Sequence, residues 1–165
     1  MMPPILRRIG GIRVFETLTG YIGAASMLLV GILAFSMGGK PERIGTGAFI
    51  LAWLLTLIVH NTSSIIGVQW GFLAIDTAAL VVFGGLVWKS GRAWPVWACA
   101  LQLLAVASHI MVLAKLPTPV SSFYTVINLT SYGILVSICF GIFFAWQEQR
   151  AAQLSNLDQD QITIR

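Results

Sequence analysis

Long apolar stretches separated by short polar breaks dominate this sequence and restrict what it can fold into. A helix needs about 20 such residues to cross the hydrocarbon core of a bilayer. Of the 165 residues, 57% are hydrophobic and only 10% are charged, whereas soluble domains carry about 25% charged residues. The sequence therefore excludes a soluble globule, a disordered chain and a coiled coil. It predicts an all-α fold, a polytopic transmembrane helical bundle of five spans.

The predicted spans follow the apolar runs and end at polar or helix-breaking residues. They cover residues 17–37, 44–64, 68–88, 94–114 and 120–146. Gly67 is expected to provide the turn between the second and third spans, and Pro95 is expected in the first turn of the fourth. We interpret residues 1–16, which mix arginines with apolar side chains, as an interfacial segment. Residues 147–165 are predicted to form a polar C-terminal tail.

Five spans place the two ends of the chain on opposite sides of the membrane. One side then carries Arg7, Arg8, Arg13 and Lys115, and the other carries Lys40, Arg43, Lys89, Arg92, Arg150 and Arg165. Because positive charge favours the cytoplasmic side, the larger set predicts a cytoplasmic C-terminus. An aromatic belt is expected at that same face, formed by Trp88, Trp94, Trp97 and Trp146. The basic residues are too scattered for a nucleic-acid surface.

Four polar residues lie well inside the predicted spans, where polar side chains are costly and often functional. Measured from the face where the third span begins, at about 1.5 Å per residue, His109 lies about 7–8 Å deep, Asp76 and Asn128 about 12 Å, and Gln102 about 18 Å. We therefore predict one polar layer built from three helices. Asp76 could act as a structural clamp between helices, or as a site for a proton, an ion or a small ligand.

The two histidines suggest a further hypothesis. His60 and His109 each lie four or five residues before the end of a span, and both spans end at the same face. Two imidazoles at similar depth could supply both axial ligands of a b-type haem. The competing interpretation is that His60 lies near water at a helix end.

Small residues recur at helical spacing and predict close helix packing. Gly133, Ser137 and Gly141 occupy every fourth position of the fifth span, and Gly67 and Gly71 form a GxxxG pair in the third. Such ridges let helix backbones approach closely. Packing within the bundle is the simpler expectation, and docking onto another subunit is the alternative.

Catalytic motifs are missing from the sequence. It contains no nucleophile elbow, no H-E-x-x-H, no P-loop and no dinucleotide fingerprint, and a single intramembrane aspartate cannot form an acid pair. Cys99 and Cys139 do not form a C-x-x-C pair and are expected to be small buried apolar residues. No metal site is predicted, and we expect a protein without enzymatic activity.

Three stretches resemble a group of short, uncharacterised inner-membrane proteins of bacteria. They are Gly39-Lys40-Pro41-Glu42-Arg43, Trp70-Gly71 followed by Asp76, and Trp94-Pro95-x-Trp97-Ala98 followed by Gln102 and His109. The resemblance covers about residues 38–146. It implies the bacterial inner membrane and five spans, and it implies no activity.

The sequence as a whole favours a small, non-enzymatic accessory or partner-binding subunit of a membrane assembly. Its expected partners are membrane lipid and other membrane-protein subunits, and nucleic acid is not expected. The alternatives are a carrier of a proton, an ion or a small ligand that uses the layer around Asp76, and a haem b electron carrier with His60 and His109 as ligands.

Overall fold

The computed structural model describes residues 4–62, 65–116 and 119–163, and over these residues the chain forms five helices. They are α1 (Pro4–Met37), α2 (Lys40–Thr62), α3 (Ile65–Ser90), α4 (Trp94–Leu113) and α5 (Val120–Thr163). The described part does not include the side chains of residues 1–20, 60–69, 117–118, 120, 157–158 and 160–165. No strand occurs among the described residues, so the predicted all-helical class is confirmed.

Four stretches in the described part of the chain are long and apolar enough to cross a membrane. They are Lys40–Val59, Trp70–Ser90, Trp94–Leu113 and Ser121–Asn156. In α1, a shorter apolar stretch covers Tyr21–Met37. These apolar helices are compatible with a multi-pass membrane protein.

The helices pack into a bundle in which α4 lies between α3 and α5, and α2 lies between α1 and α3. Both α1 and α2 also contact α5, so the bundle closes on itself. The shared core includes Ala34, Phe83, Ala98, Ile134 and Ile138, all fully buried. Many large apolar side chains instead face outward. Contiguous apolar exteriors are unusual for monomers in water, and they are the surface expected of helices surrounded by lipid.

Two helix ends differ from the predicted spans. The first helix begins at Pro4, so it is continuous with much of the predicted interfacial segment, whose side chains lie outside the described residues. The last helix continues to Thr163, well beyond residue 146. The part of the predicted polar tail that the structure describes is therefore helical.

The turn between α2 and α3 does not fall at Gly67. The second helix ends at Thr62 and the third begins at Ile65, so Gly67 lies within a helix and the prediction that it provides the turn is wrong. A single glycine is tolerated inside a helix at a cost of about 1 kcal/mol. Asn and Thr side chains compete for backbone hydrogen bonds, and α2 ends at two such residues, Asn61 and Thr62.

The connection between α3 and α4 is a short loop of three residues. Gly91 adopts a φ of 61°, a left-handed conformation that favours glycine after a helix C-terminus. The predicted position of Pro95 in the first turn of α4 is confirmed. This loop places Arg92 and Trp94 against the N-terminal end of α2.

Candidate functional site

Polar residues of α3 and α4 meet inside the bundle. The Oδ2 atom of Asp76 lies 3.0 Å from Nε2 of His109. The amide Nε2 of Gln102 donates to Oδ1 of Asp76 at 2.9 Å and to its backbone oxygen at 3.2 Å. Gln102 and His109 are buried, whereas the Asp76 side chain is 24% exposed. We call these three residues the Asp76 cluster.

The geometry of the two helices explains why the cluster forms. Gln102 and His109 are seven residues apart on α4, which is about two helical turns, so both side chains project from the same face. The neighbouring α3 presents Asp76 to that face, between the two of them. This is the order in which depth along the spans places the three residues.

Aromatic rings surround the imidazole of His109. The ring of Phe72 from α3 lies 6.0 Å away, centroid to centroid, and that of Phe123 from α5 lies 5.3 Å away in an edge-on arrangement. Three helices thus enclose a carboxyl–imidazole pair in largely apolar surroundings. A carboxyl oxygen and an imidazole nitrogen at this distance can share one proton in a hydrogen bond.

Asn128 does not join the Asp76 cluster. Its side chain is exposed on α5, and so are those of Tyr124 and Tyr132, four residues to either side. The depth of Asn128 along the span matches that of the predicted polar layer. The rotation of α5 about its axis, however, turns the Asn128 side chain outward. Hydropathy does not reveal that rotation, because α5 is apolar on several sides.

A second polar cluster, which sequence analysis missed, lies at the opposite end of the bundle. Glu42 is 0% exposed, and its Oε1 accepts a 2.8 Å hydrogen bond from Nε1 of Trp94 and lies 3.4 Å from Arg92. Arg92 also contacts Oε2 of Glu148 at 2.6 Å. We call these four residues the Glu42 cluster; it ties the first turn of α2 to α4, to the α3–α4 loop and to α5.

Two buried oxygen atoms at this end have no hydrogen-bond partner in the described part of the chain. They are Oε2 of Glu42 and Oγ1 of Thr46. Glu42 lies in the polar break between two apolar runs, and hydropathy alone does not indicate that its side chain is buried. Only the burial of that turn by α4 and α5 reveals the cluster.

Trp94 is a packing residue of the interior and not part of an aromatic belt. It is 5% exposed, and a Cβ atom at Gly45 or at Gly141 would lie 2.5 Å from its ring. The belt prediction is therefore wrong for Trp94, because the two glycines open a slot that admits the indole. Trp88 and Trp97 are exposed at that face as expected, and Trp146 is half-buried beneath Arg150.

The small-residue ridge of α5 faces α4 within the bundle. A Cβ atom at Gly133 would lie 2.7 Å from Leu101, and Gly141 lies against Trp94. Ser137 is buried and donates to the backbone oxygen of Gly133. On α3, Gly71 packs against Val59 of α2, and the side-chain surroundings of Gly67 lie outside the described residues.

The haem hypothesis requires His60 and His109 as ligands, and the side chain of His60 lies outside the described residues. His109 uses its Nε2 atom toward Asp76. No group of three or more His, Cys, Asp or Glu side chains suited to a metal ion occurs among the residues described. Cys99 is half-buried and Cys139 is exposed, so the expectation of burial is wrong for Cys139, whose thiol is apolar enough for a lipid-facing position.

No family model, curated protein or solved structure matches the chain. Residue roles therefore rest on the geometry of the two clusters.

Proposed function

We propose that this protein is a membrane carrier that binds and transfers a proton at the Asp76–His109 pair. The observation that supports the proposal is the 3.0 Å contact between the carboxyl and the imidazole inside the bundle. Ionisable groups inside membranes are costly, and in such positions they often form proton relays. Imidazole is the side chain whose ordinary titration range includes physiological pH.

Neighbouring side chains hold both members of the pair in position. Gln102 donates a hydrogen bond to Asp76, and the imidazole packs against Phe72 and Phe123. The Asp76 side chain is the member of the pair that is partly exposed at the surface of the bundle. The ring of Phe123, which packs on the imidazole, also contacts the ring of Tyr124.

Proton flux into liposomes tests this function directly. The purified protein is reconstituted with a pH-sensitive dye inside, and a membrane potential drives protons inward. We expect flux with the unaltered chain, and loss of flux for both Asp76→Asn and His109→Gln. Ser108→Ala is the matched control, because the Ser108 hydroxyl bonds only the backbone of its own helix among the contacts described.

A structural clamp would give a different result. It would lower the stability of Asp76→Asn without any flux from the unaltered protein above that of empty liposomes. That outcome, or undiminished flux in a folded Asp76→Asn variant, contradicts the proton-carrier proposal.

Our second candidate function is that of a partner-binding subunit, and the exposure of Asn128 favours it. An amide facing hydrocarbon is costly, and Asn side chains in membranes hydrogen-bond across helix interfaces. Tyr124 and Asn128 share one face of α5, whereas the Tyr132 hydroxyl lies toward Gly23 of α1. We propose that a helix of another membrane subunit covers this face.

A photo-crosslinking residue at position 128 tests partner binding in native membranes. We expect one adduct of defined size, whose yield falls when Tyr124, which is 60% exposed, is changed to Leu. The same crosslinker at Leu51, an exposed residue of α2, is the control. Equal adducts at both positions, or none at position 128, contradict the proposal.

We further propose five spans in the bacterial inner membrane, with the C-terminus in the cytoplasm. The basic residues Lys40, Arg43, Lys89 and Arg150 at one end of the bundle support this orientation. Tags at the two ends should react with impermeant reagents on opposite sides. Tags on the same side would indicate that α1 does not cross.

A further inference from the structure

A groove between α4 and α5 opens on the outside of the bundle and has a volume of about 730 Å³. Pockets for small molecules usually measure about 300–1,000 Å³, so a ligand-sized space is available. Its walls are mainly apolar: Trp97, Leu101, Val136, Phe140 and Phe144 line it. The hydroxyl of Ser137, which also lines the groove, is already bonded to its own helix.

The groove has the length of one leaflet. From Glu148 at its mouth to Val136 at its inner end, α5 advances twelve residues, which is about 18 Å. Half of a hydrocarbon core of roughly 30 Å is about 15 Å. An acyl chain that enters beside Glu148 would therefore lie along the groove as far as the middle of the bilayer.

The mouth of the groove carries charges of both signs. The Arg92 guanidinium lies between buried Glu42 and exposed Glu148, and the Arg92 and Glu148 side chains are 26% and 64% exposed. A lipid phosphate can accept from Arg92, which keeps its contact with Glu42. Glu148 would then need a new cation, and an ammonium group in the lipid headgroup can supply it.

We infer that this groove is a binding site for a phospholipid with an amine-bearing headgroup, such as phosphatidylethanolamine. The acyl chain lies between α4 and α5, the phosphate on Arg92 and the ammonium on Glu148. An anionic phosphatidylglycerol fits less well, because its phosphate would displace Glu148 from Arg92 without offering a replacement cation. The site requires that these helices cross a bilayer, and it is independent of proton transfer at Asp76.

Native mass spectrometry with the two lipids at equal concentration and with matched chains tests the inference. We expect about two- to fivefold more phosphatidylethanolamine than phosphatidylglycerol on the unaltered protein, the range that one exposed ion pair provides. Glu148→Gln should bring the ratio close to one. Ala100→Trp should fill the groove and remove both adducts, whereas Leu51→Trp, on an exposed part of α2, should retain the preference.

A fluorescence measurement on the unaltered protein tests the same site without relying on groove variants that could misfold. Brominated acyl chains should quench Trp97, measured as the difference between the unaltered chain and Trp97→Phe, more strongly in phosphatidylethanolamine than in phosphatidylglycerol. Equal quenching by both lipids, a preference for phosphatidylglycerol, or adducts that persist in folded Ala100→Trp would overturn the inference.

Discussion

Glu42 and Trp94, 52 residues apart in the chain, meet in the interior of the bundle through a 2.8 Å hydrogen bond from the indole Nε1 to the carboxyl Oε1. This contact joins the first turn of α2 to the first turn of α4. Glu42 is fully buried and also contacts Arg92. Substitutions at Trp94 and at Arg92 can therefore measure separately how much each contact of Glu42 contributes to stability.

Trp94→Phe should lower the free energy of unfolding by about 1–3 kcal/mol. The ring still fills its slot, but Glu42 loses a buried donor, and an unsatisfied buried partner costs about that much. Unfolding in detergent followed by circular dichroism measures the change. Trp88→Phe, at a residue that is 90% exposed, should change it little. Equal effects of the two substitutions would contradict a buried hydrogen bond.

Gly141→Ala should destabilise the protein by about 1–3 kcal/mol, the usual cost of overpacking. The Cβ atom of the new alanine would lie 2.5 Å from the Trp94 ring. That ring cannot move away easily, because it also packs closely against Gly45. Gly84→Ala is the matched control, because a Cβ atom there meets nothing within 4 Å. Alanine is favoured over glycine inside a helix by about 0.5–1 kcal/mol, so this variant should be stabilised. Thermal unfolding of both variants measures the two changes in stability. A change in the same direction for both variants would contradict the prediction.

Arg92→Gln and Glu148→Gln should differ in their effects although they break the same 2.6 Å contact. Loss of Glu148 removes an exposed ion pair, worth about 0–1 kcal/mol and weakened by salt. Loss of Arg92 also leaves Glu42 buried without its cation, which costs about 3–5 kcal/mol. Unfolding measured at low and high salt tests the asymmetry, and similar losses for the two variants would argue against it.

Gln102→Leu should destabilise the bundle by about 1–3 kcal/mol, because Oδ1 of Asp76 loses its amide donor inside the protein. In Asp76→Asn the same change at Gln102 should cost less, since an amide needs that donor less than a carboxylate does. A double-mutant cycle in detergent measures this coupling. Additive effects would mean that the contact between Gln102 and Asp76 contributes little.

Thr46→Val should stabilise the protein by about 1 kcal/mol. The Thr46 hydroxyl is buried without a partner in the described part of the chain, and the valine side chain has a similar shape without that desolvation cost. Thermal unfolding measures the shift. A loss of stability would instead indicate that a polar group bridges Thr46 and Glu42.

The helical class, the break between α3 and α4 and Pro95 at the start of α4 could be predicted because each depends on residues close together in the chain. The Glu42 cluster could not. Its members lie on α2, on the α3–α4 loop, on α4 and on α5, and hydropathy marks Glu42 and Arg92 only as parts of polar breaks. The slot for Trp94 likewise requires Gly45 and Gly141 to face one another across the bundle.

What the sequence alone determined is depth: each residue advances a helix by about 1.5 Å, so distance from a span end places Asp76 between His109 and Gln102. What only the tertiary structure decided is rotation about each helix axis. An apolar helix in lipid gains little from turning one side or another outward, because lipid tails are as apolar as the core. Contacts with neighbouring helices therefore fix the rotation, and they turn Asp76 inward and Asn128 outward.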